Sequence, residues 1–533
     1  MELAKTIMIN GILQFLRSSS VDSLRGGIAL KRNKPGLPDN GDITSLQAPA
    51  TVRIPLLNYQ RDVLQPWVTV GQHVKLSDAL APGVIASVSG TVVDISPQSI
   101  AHPSDIHVPC VLIATDQNNS LEELRSYSEL TSATLERIHD CGVHGLGGAG
   151  FSTARKLHSS SNNEDRIQTL IINAVECEPL ISCDESLLIT DSRKIVTAIQ
   201  NIIEFTNCAK CILAIEDDKP QALKALKHAM SRFDGLLRFE LKLLPAIYPA
   251  GAEKPLIERL TQTRIPADSY PAENGIICIN VSTALAIDEA RQGYPMISRV
   301  VTIAGDLAPN PTNVRVRFGT SIADVLKLTD NHHNLSNACI RIGGPLSGFV
   351  INDLSVPVTA TTNSIIVEET KPAAIQMACI RCSACSDVCP VDLLPQQLFQ
   401  YSIKENTKQA EKSGISSCIE CSCCDLVCPS NIPLTHSFRF LKGHIKEQRR
   451  QEELAQVAES RFQIREQRQQ ERRELRVKKR EAAKQQLTAD KAPIADALER
   501  AKLRRRKKAR NKDRTGAHSH TDNGDTQTRD QQP

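Results

Sequence analysis

Two short cysteine-rich segments constrain this chain more than any other feature of its sequence. Residues 379–390 read C-x2-C-x2-C-x3-C-P, and residues 418–429 repeat that spacing 39 residues later. Thiolates at these intervals can hold three corners of an iron–sulfur cubane, and the run is typical of two-cluster bacterial ferredoxins, in which the fourth cysteine ligates the other cluster. The spacing therefore predicts a domain that holds two [4Fe-4S] clusters.

Cross-ligation predicts which cysteines share a cluster. The first cluster takes Cys379, Cys382, Cys385 and Cys428, and the second takes Cys418, Cys421, Cys424 and Cys389. Structural zinc is the alternative, but zinc sites favour C-x2-C pairs separated by longer loops. Cys423 lies off the spacing of the second motif, and we interpret it as a bystander thiol. Disulfides are disfavoured because the chain is interpreted as cytoplasmic.

A further pair, Cys208 and Cys211, lies at the edge of a predicted core strand. Its C-x2-C spacing is also found in redox-active pairs. The position in a core strand favours a buried structural role instead.

The glycine-rich loop at residues 145–151 formally satisfies G-x-G-x-x-G. A Rossmann fingerprint must follow a strand, whereas this loop follows residues 133–141, which are predicted to be helical, so we reject that assignment. Glycines still let backbone N–H groups approach a phosphate, and a helix predicted over residues 152–157 would present its N-terminus to an anion. The alternative is a plain tight turn.

A strand predicted over residues 169–175 leads directly to two carboxylates, Glu176 and Glu178. Ligands of open α/β sheets collect at the carboxyl ends of the strands. Carboxylates there are suited to accept hydrogen bonds from ribose hydroxyls or a nicotinamide amide. A solvated turn is the alternative, and the neighbouring glycine loop favours the binding site.

These segments, together with residues 248–254 and 280–283, closely resemble the C subunit of the bacterial Rnf (Rsx) ion-translocating electron-transport complex. The resemblance covers roughly residues 26–441, and the glycine loop more distantly resembles the flavin- and NADH-binding subunit of respiratory complex I. It implies non-covalent FMN and NAD(H) beside the two clusters. It also implies membrane subunits and a ferredoxin-like electron carrier as partners, with a peripheral location on the cytoplasmic face of the bacterial inner membrane.

The resemblance also implies roles for individual residues. The implied FMN contacts are Gly145, Gly147, Gly148, Gly150, Lys156, Asn173, Glu176 and Asn280. The implied contacts on the nicotinamide side are Phe151, Glu178 and Glu253. No catalytic side chain is implied, because the cofactors carry the chemistry. Ala252 stands where the complex I pattern has a second acidic residue.

The order of strand-rich and helix-rich patterns predicts a multidomain α/β and β protein. The segments are a poorly ordered N-terminal segment (1–45), a barrel-sandwich, lipoyl-like domain (46–117), an FMN/NADH-binding α/β domain (118–295), a β-grasp domain (296–368), a two-cluster ferredoxin-type helical domain (369–436) and a basic charged helix with a disordered tail (437–533). The stretch between Lys75 and Gly90 contains no lysine at the hairpin tip where lipoyl domains carry their cofactor. The barrel is therefore predicted to be structural.

Charge and composition narrow the possible functions. Residues 442–514 carry 25 lysines and arginines against 12 acidic residues, so the remainder of the chain is acidic. An acidic remainder would repel the phosphates of a nucleic acid and so disfavours a long contact with one. Aromatic residues make up only 3% of the chain, which disfavours a surface on which bases stack. No apolar run approaches the ~18 residues of a membrane span. A peripheral electron-transfer subunit is favoured, and a soluble flavin and iron–sulfur oxidoreductase is the alternative.

Overall fold

A computed structural model describes residues 26–30, 41–58, 62–116, 133–148, 150–158, 167–233, 238–333, 335–372 and 374–512. The chain divides into two compact units, Met1–His444 and Ile445–Pro533. Every helix in the described ranges is too short or too polar to span a bilayer. A helix predicted over residues 121–128 lies outside these ranges.

Residues 43–115 form seven strands, of which six build the barrel-sandwich module. The strands are β1 (Ile43–Ser45), β2 (Thr51–Pro55), β3 (His73–Val74), β4 (Ala79–Ala81), β5 (Val84–Ile85), β6 (Gly90–Ser99) and β7 (His107–Thr115). An antiparallel sheet has the order β2-β7-β6-β3, and β4 and β5 form a hairpin. Side chains alternate between the two faces of β2, so Val52 and Ile54 point into the core. A strand predicted over residues 67–70 is wrong, because this stretch is a turn with Trp67 63% exposed.

The second module is a parallel sheet covered by helices. Its elements are α1 (Ala133–Asp140), α2 (Thr153–His158), β8 (Thr169–Ala174), α3 (Cys183–Thr190), α4 (Ser192–Thr206), β9 (Lys210–Glu216), α5 (Pro220–Ser231), β10 (Glu240–Leu244), α6 (Glu253–Thr261), a 3-10 turn (Pro271–Asn274), β11 (Ile276–Asn280) and α7 (Val281–Arg291). The strand order is β10-β9-β8-β11, with all neighbours parallel. The apolar runs of β8, β9 and β11 are buried, as a sheet covered on both faces requires.

The third module is a mixed six-stranded sheet. It contains β12 (Ser298–Ala304), β13 (Thr312–Arg317), α8 (Ile322–Leu328), a 3-10 turn (Leu335–Asn337), β14 (Ala338–Ile342), β15 (Phe349–Ile351) and β16 (Ser364–Glu369). The order is β1-β13-β12-β16-β14-β15, and β12 and β16 are parallel neighbours, which is consistent with the β-grasp arrangement expected. Because β1 pairs with β13, the prediction of a poorly ordered N-terminal segment is wrong for Ile43–Ser45.

The cysteine-rich module is built from short helices. They are α9 (Ala384–Asp387), α10 (Pro395–Ile403), α11 (Thr407–Lys412), a 3-10 turn (Ile415–Ser417), α12 (Cys423–Leu426) and the start of α13 (Leu434–Lys512). Helix α13 is longer than the charged helix that the sequence predicts over residues 437–486. Every described side chain between residues 448 and 508 is exposed. The exposed apolar residues Leu454, Val457, Phe462 and Ile464 are followed by ten residues without an apolar side chain, so they do not continue as one helix stripe.

Candidate functional site

A cleft of about 670 Å³ opens at the carboxyl edge of the parallel sheet. The residues that follow β8, β10 and β11 meet there with the glycine loop and with Cys418 and Cys421 of the second cysteine motif. Of the predicted cofactor contacts, those that line the cleft are Gly147, Gly148, Asn173, Glu176, Glu178, Glu253 and Asn280. Gly145, Gly150, Phe151 and Lys156 lie outside its lining.

The glycine loop connects helix α1 to helix α2 and does not follow a strand, in agreement with the rejection of the Rossmann assignment. The Gly145 N–H donates to the Phe151 carbonyl (2.8 Å), which closes the loop. The Leu146 N–H donates to Thr283 Oγ1 (2.8 Å), which ties the loop to α7. Gly148 has φ +101°, and a Cβ built on it would meet no atom within 4 Å. That missing side chain leaves room for a ligand against the backbone.

Asn173 and Gly251 lock two strand-end loops together beneath the cleft. Asn173 Nδ2 donates to the Gly251 carbonyl (2.9 Å), and its Oδ1 accepts from the Val175 N–H (3.0 Å). A Cβ on Gly251 would lie 2.3 Å from the Val175 carbonyl oxygen. Only glycine therefore permits this approach.

Glu176 is buried with its carboxylate at the N-terminus of α3. The N–H groups of Asp184 (3.0 Å) and Glu185 (3.3 Å) donate to it, as does Cys183 Sγ (3.2 Å). A helix N-terminus stabilises an anion in this position. Glu176 thus holds α3 against the cleft floor.

Lys219, at the start of α5, is fully buried beneath this loop, and sequence reasoning missed it. Its Nζ lies 3.0 Å from Glu216 Oε2 and 3.7 Å from Glu176 Oε2. The Glu176 N–H in turn donates to Glu216 Oε2 (3.1 Å). One buried cation therefore neutralises two buried carboxylates and fixes the loop that carries Glu176.

Replacing Lys219 with methionine is expected to lower the first thermal unfolding midpoint by roughly 10 °C and to lower the retention of bound FMN. The reason is that Glu216 and Glu176 would be left buried without their cation, at a cost of about 3–5 kcal/mol. Lys227→Met, an exposed change on the same helix, is the matched control. A midpoint and FMN content equal to those of this control would contradict the role of Lys219. Scanning calorimetry and acid-released FMN measure the two effects.

Asn280 joins the end of β11 to α3. Its Oδ1 accepts from the Ser282 N–H (2.9 Å) and caps α7, while its Nδ2 donates to Asp184 Oδ2 (2.6 Å). Ser282 Oγ also donates to Asp184. Burial, with the nearby Glu176 charge, raises the pKa of Asp184 above its usual range. Asp184 lines the cleft and is a second residue that sequence reasoning missed.

The residues predicted on the nicotinamide side are partly engaged with the chain itself. Glu253, the first residue of α6, forms an ion pair with Lys156. The Glu178 carboxylate accepts from the N–H groups of Leu346 (3.2 Å) and Ser347 (2.8 Å), which belong to the third module. Burial raises the pKa of Glu178. The ring of Phe151 lies 6.0 Å from that of Tyr270.

Four of the predicted cluster ligands surround one small cavity. Cys379, Cys382, Cys385 and Cys428 line a cavity of about 20 Å³. Cys428 therefore meets three cysteines of the other motif, which is the grouping expected from cross-ligation. The donor set of four thiols fits an iron–sulfur cluster.

The remaining ligands lie toward the cleft. Cys418 and Cys421 line it, and the Tyr248 hydroxyl donates to the Cys421 carbonyl (2.8 Å). Burial raises the pKa of Cys389 above its usual range. Cys423 is wholly buried, and a side-chain hydrogen bond with Cys421 together with burial raises its pKa above the usual range.

Cys208 and Cys211 are both buried in the core of the second module. Burial raises the pKa of Cys211 above its usual range, so its thiolate is disfavoured. This placement agrees with the structural role that the sequence favoured.

Three family models match the chain. The "RnfC Barrel sandwich hybrid domain" matches residues 22–118, the "Nuo51 FMN-binding domain" residues 138–289, and the "4Fe-4S dicluster domain" residues 375–432. The matches coincide with the first module, the parallel-sheet module and the cysteine-rich module.

Curated relatives, each named as the C subunit of an ion-translocating oxidoreductase complex, are similar over most of the chain. The Pasteurella multocida protein is 37% identical over 424 residues, which is 77% of this chain and 50% of the relative. The Klebsiella pneumoniae protein is 36% identical over 512 residues, 92% of this chain and 66% of the relative. The chain thus spans about half to two thirds of the length of these relatives.

Among solved structures, the crystal structure of an NAD+-reducing [NiFe]-hydrogenase in the air-oxidised state is similar to this chain. The match has a TM-score of 0.42 and 21% sequence identity, and covers 52% of this chain and 54% of that chain.

Proposed function

The chain belongs to the family formed by the C subunits of ion-translocating oxidoreductase complexes, and from this premise we propose that it passes electrons between NAD(H), FMN and two [4Fe-4S] clusters. The proposal makes it a peripheral subunit of a membrane-bound complex that couples this transfer to cation transport. Its partners would be the membrane subunits and a ferredoxin-like electron carrier.

One observation carries the proposal most directly. A single cleft is lined both by the glycine loop, including Gly147 and Gly148, and by Cys418 and Cys421. A flavin held at the loop and a cluster held by the second cysteine set would therefore adjoin each other. When bound, FMN supplies the exchange between two-electron hydride chemistry and one-electron transfer.

The residues of the chain would hold these groups in place. Gly148 would let the backbone approach the flavin phosphate, and Asn173 and Asn280 would offer side-chain amides at the cleft floor. Glu178 and Glu253 would face the nicotinamide side, where carboxylates accept hydrogen bonds from the amide and the ribose. The cluster next to the cleft would be held by Cys418, Cys421, Cys424 and Cys389. The cluster farther from the cleft would be held by Cys379, Cys382, Cys385 and Cys428.

The test uses the full chain purified without oxygen. It is expected to contain about eight iron atoms and one FMN, and NADH should reduce the flavin and then both clusters. Absorbance and electron paramagnetic resonance record these steps. Protein that contains both cofactors but is not reduced by NADH would contradict the proposal.

The soluble oxidoreductase remains the alternative, and membrane fractionation separates the two. In cells that produce the whole complex, the chain is expected to sediment with membranes at low salt and to be partly released at high salt, because screened charges contribute to its attachment. Complete recovery in the soluble fraction at low salt would favour the alternative.

A further inference from the structure

A run of exposed residues borders the first cysteine cavity. In residues 374–383 every described side chain is exposed except that of Cys379. The run includes Ile375 (83% exposed), Met377 (56%) and Ile380 (68%). Burial of such a side chain stabilises a protein by about 1.5–3 kcal/mol, so three of them in contact with water indicate an interaction surface.

The backbone of this run is held in place. The Met377 N–H donates to the Ser430 carbonyl (2.9 Å), and Ser430 Oγ donates to the Ala378 carbonyl (2.9 Å). Asn431 Nδ2 donates to the Ile375 carbonyl (3.2 Å). The apolar side chains therefore project from a backbone fixed against the second cysteine motif, which is suited to docking at a low entropic cost.

The C-terminal half of this run, residues 379–383, forms one wall of the cavity. Ile380 and Cys382 line it beside Cys428, and both are exposed at the surface. A cluster held there would lie just beneath the apolar run. Since electron transfer falls steeply with distance, a carrier seated on this run would approach that cluster closely.

The second cysteine set is enclosed by other parts of the chain. The Cys418 carbonyl accepts from Lys442 Nζ (2.8 Å), and the Cys421 carbonyl accepts from the Tyr248 hydroxyl (2.8 Å). Both cysteines face the flavin cleft. The two sets thus differ, one facing the interior cleft and the other the surface.

We propose that the surface formed by Ile375, Met377, Ile380 and Cys382, here termed the exit surface, docks a protein that carries a one-electron centre. This inference rests on the proposed function, in which the first cluster is the last centre within the chain. A second copy of the chain is a poorer occupant, because it would join two equivalent centres and leave electrons no onward path. A lipid surface would offer no acceptor at all.

The experiment compares Ile375→Glu with Ile403→Glu in the whole membrane-bound complex. Ile375 is 83% exposed and Ile403 is 61% exposed, both belong to the same module, and neither lines the cavity, so Ile403→Glu is the matched control. A carboxylate within an apolar contact is expected to slow electron delivery from the chain to its partner about tenfold, corresponding to 1.4 kcal/mol. The iron content, the FMN content and the rate at which NADH reduces the centres within the chain should stay unchanged in both variants.

A photo-crosslinking amino acid in place of Met377 provides a readout that does not depend on electron transfer. The expected adduct is with a protein that contains an iron–sulfur cluster or a flavin, and adding Ile375→Glu should abolish it. Adducts only with a second copy or with lipid would overturn the proposal, as would electron delivery by Ile375→Glu equal to that by Ile403→Glu. If NADH fails to reduce the chain, the proposed function fails, while the crosslink still tests the exit surface.

Discussion

Replacing Gly148 with valine is expected to abolish FMN retention and to leave the iron content near that of the unmodified protein. A Cβ at this position projects into the open cleft, where it would occupy the space that the proposed phosphate needs. The φ of +101° is also disfavoured for a β-branched residue, so the loop would shift. Acid-released FMN and total iron per chain measure the outcome.

Gly71→Val is the matched control for this change. Gly71 has φ +87° and no neighbour of its missing Cβ within 4 Å, but it lies in the barrel-sandwich module and not in the cleft. The control thus carries similar backbone strain without obstructing the cleft, and it should keep its FMN. If Gly148→Val retains FMN at the level of Gly71→Val, the glycine loop is not the flavin site.

Local patterns predicted those parts of the fold whose burial follows a simple period. Helix α8 begins and ends where the sequence predicts it, at residues 322–328, and its buried residues Ile322, Val325 and Leu326 repeat at the helical spacing. Helix α3 was missed because its buried residues, among them Asp184, Ser186 and Leu188, spread around more than half of its circumference. Without a single apolar stripe, an eight-residue helix leaves no 3.6-residue signal in the sequence.

Contacts distant in sequence account for what the site prediction lacked. Lys219 stands beside Pro220 in a polar stretch that looks like a surface turn, and its burial depends on Glu176, which lies 43 residues away. Glu178 meets Ser347 across 169 residues. Such pairs form only after segments distant in sequence have come together, and no spacing rule describes them. The cysteine ligands could be proposed from the sequence because cluster geometry requires a fixed spacing within each motif.

The variants Cys389→Ala and Cys428→Ala are each expected to lose one cluster. In each variant the lost cluster is the one that the other motif mainly holds. Cys428 lines the same cavity as Cys379, Cys382 and Cys385, so its loss should remove the first cluster. The motif spacing assigns Cys389 to the set of Cys418, Cys421 and Cys424, so its loss should remove the second cluster. Iron should fall from about eight to about four atoms per chain in both variants.

Two reference variants assign each paramagnetic resonance signal to its cluster. Cys382→Ala defines the signal that disappears with the first cluster, and Cys421→Ala defines that of the second. The signal lost in Cys428→Ala should match the loss in Cys382→Ala, and that in Cys389→Ala should match Cys421→Ala. Cys423→Ala, a buried change off the motif spacing, should keep both signals. The opposite match would show that each motif holds its own cluster.

Cys421 lines the same cleft as the glycine loop, so the second cluster would lie between the proposed flavin and the first cluster. Variants that lack the second cluster should therefore still show NADH-dependent flavin reduction. They should reduce the first cluster more slowly than the unmodified protein does.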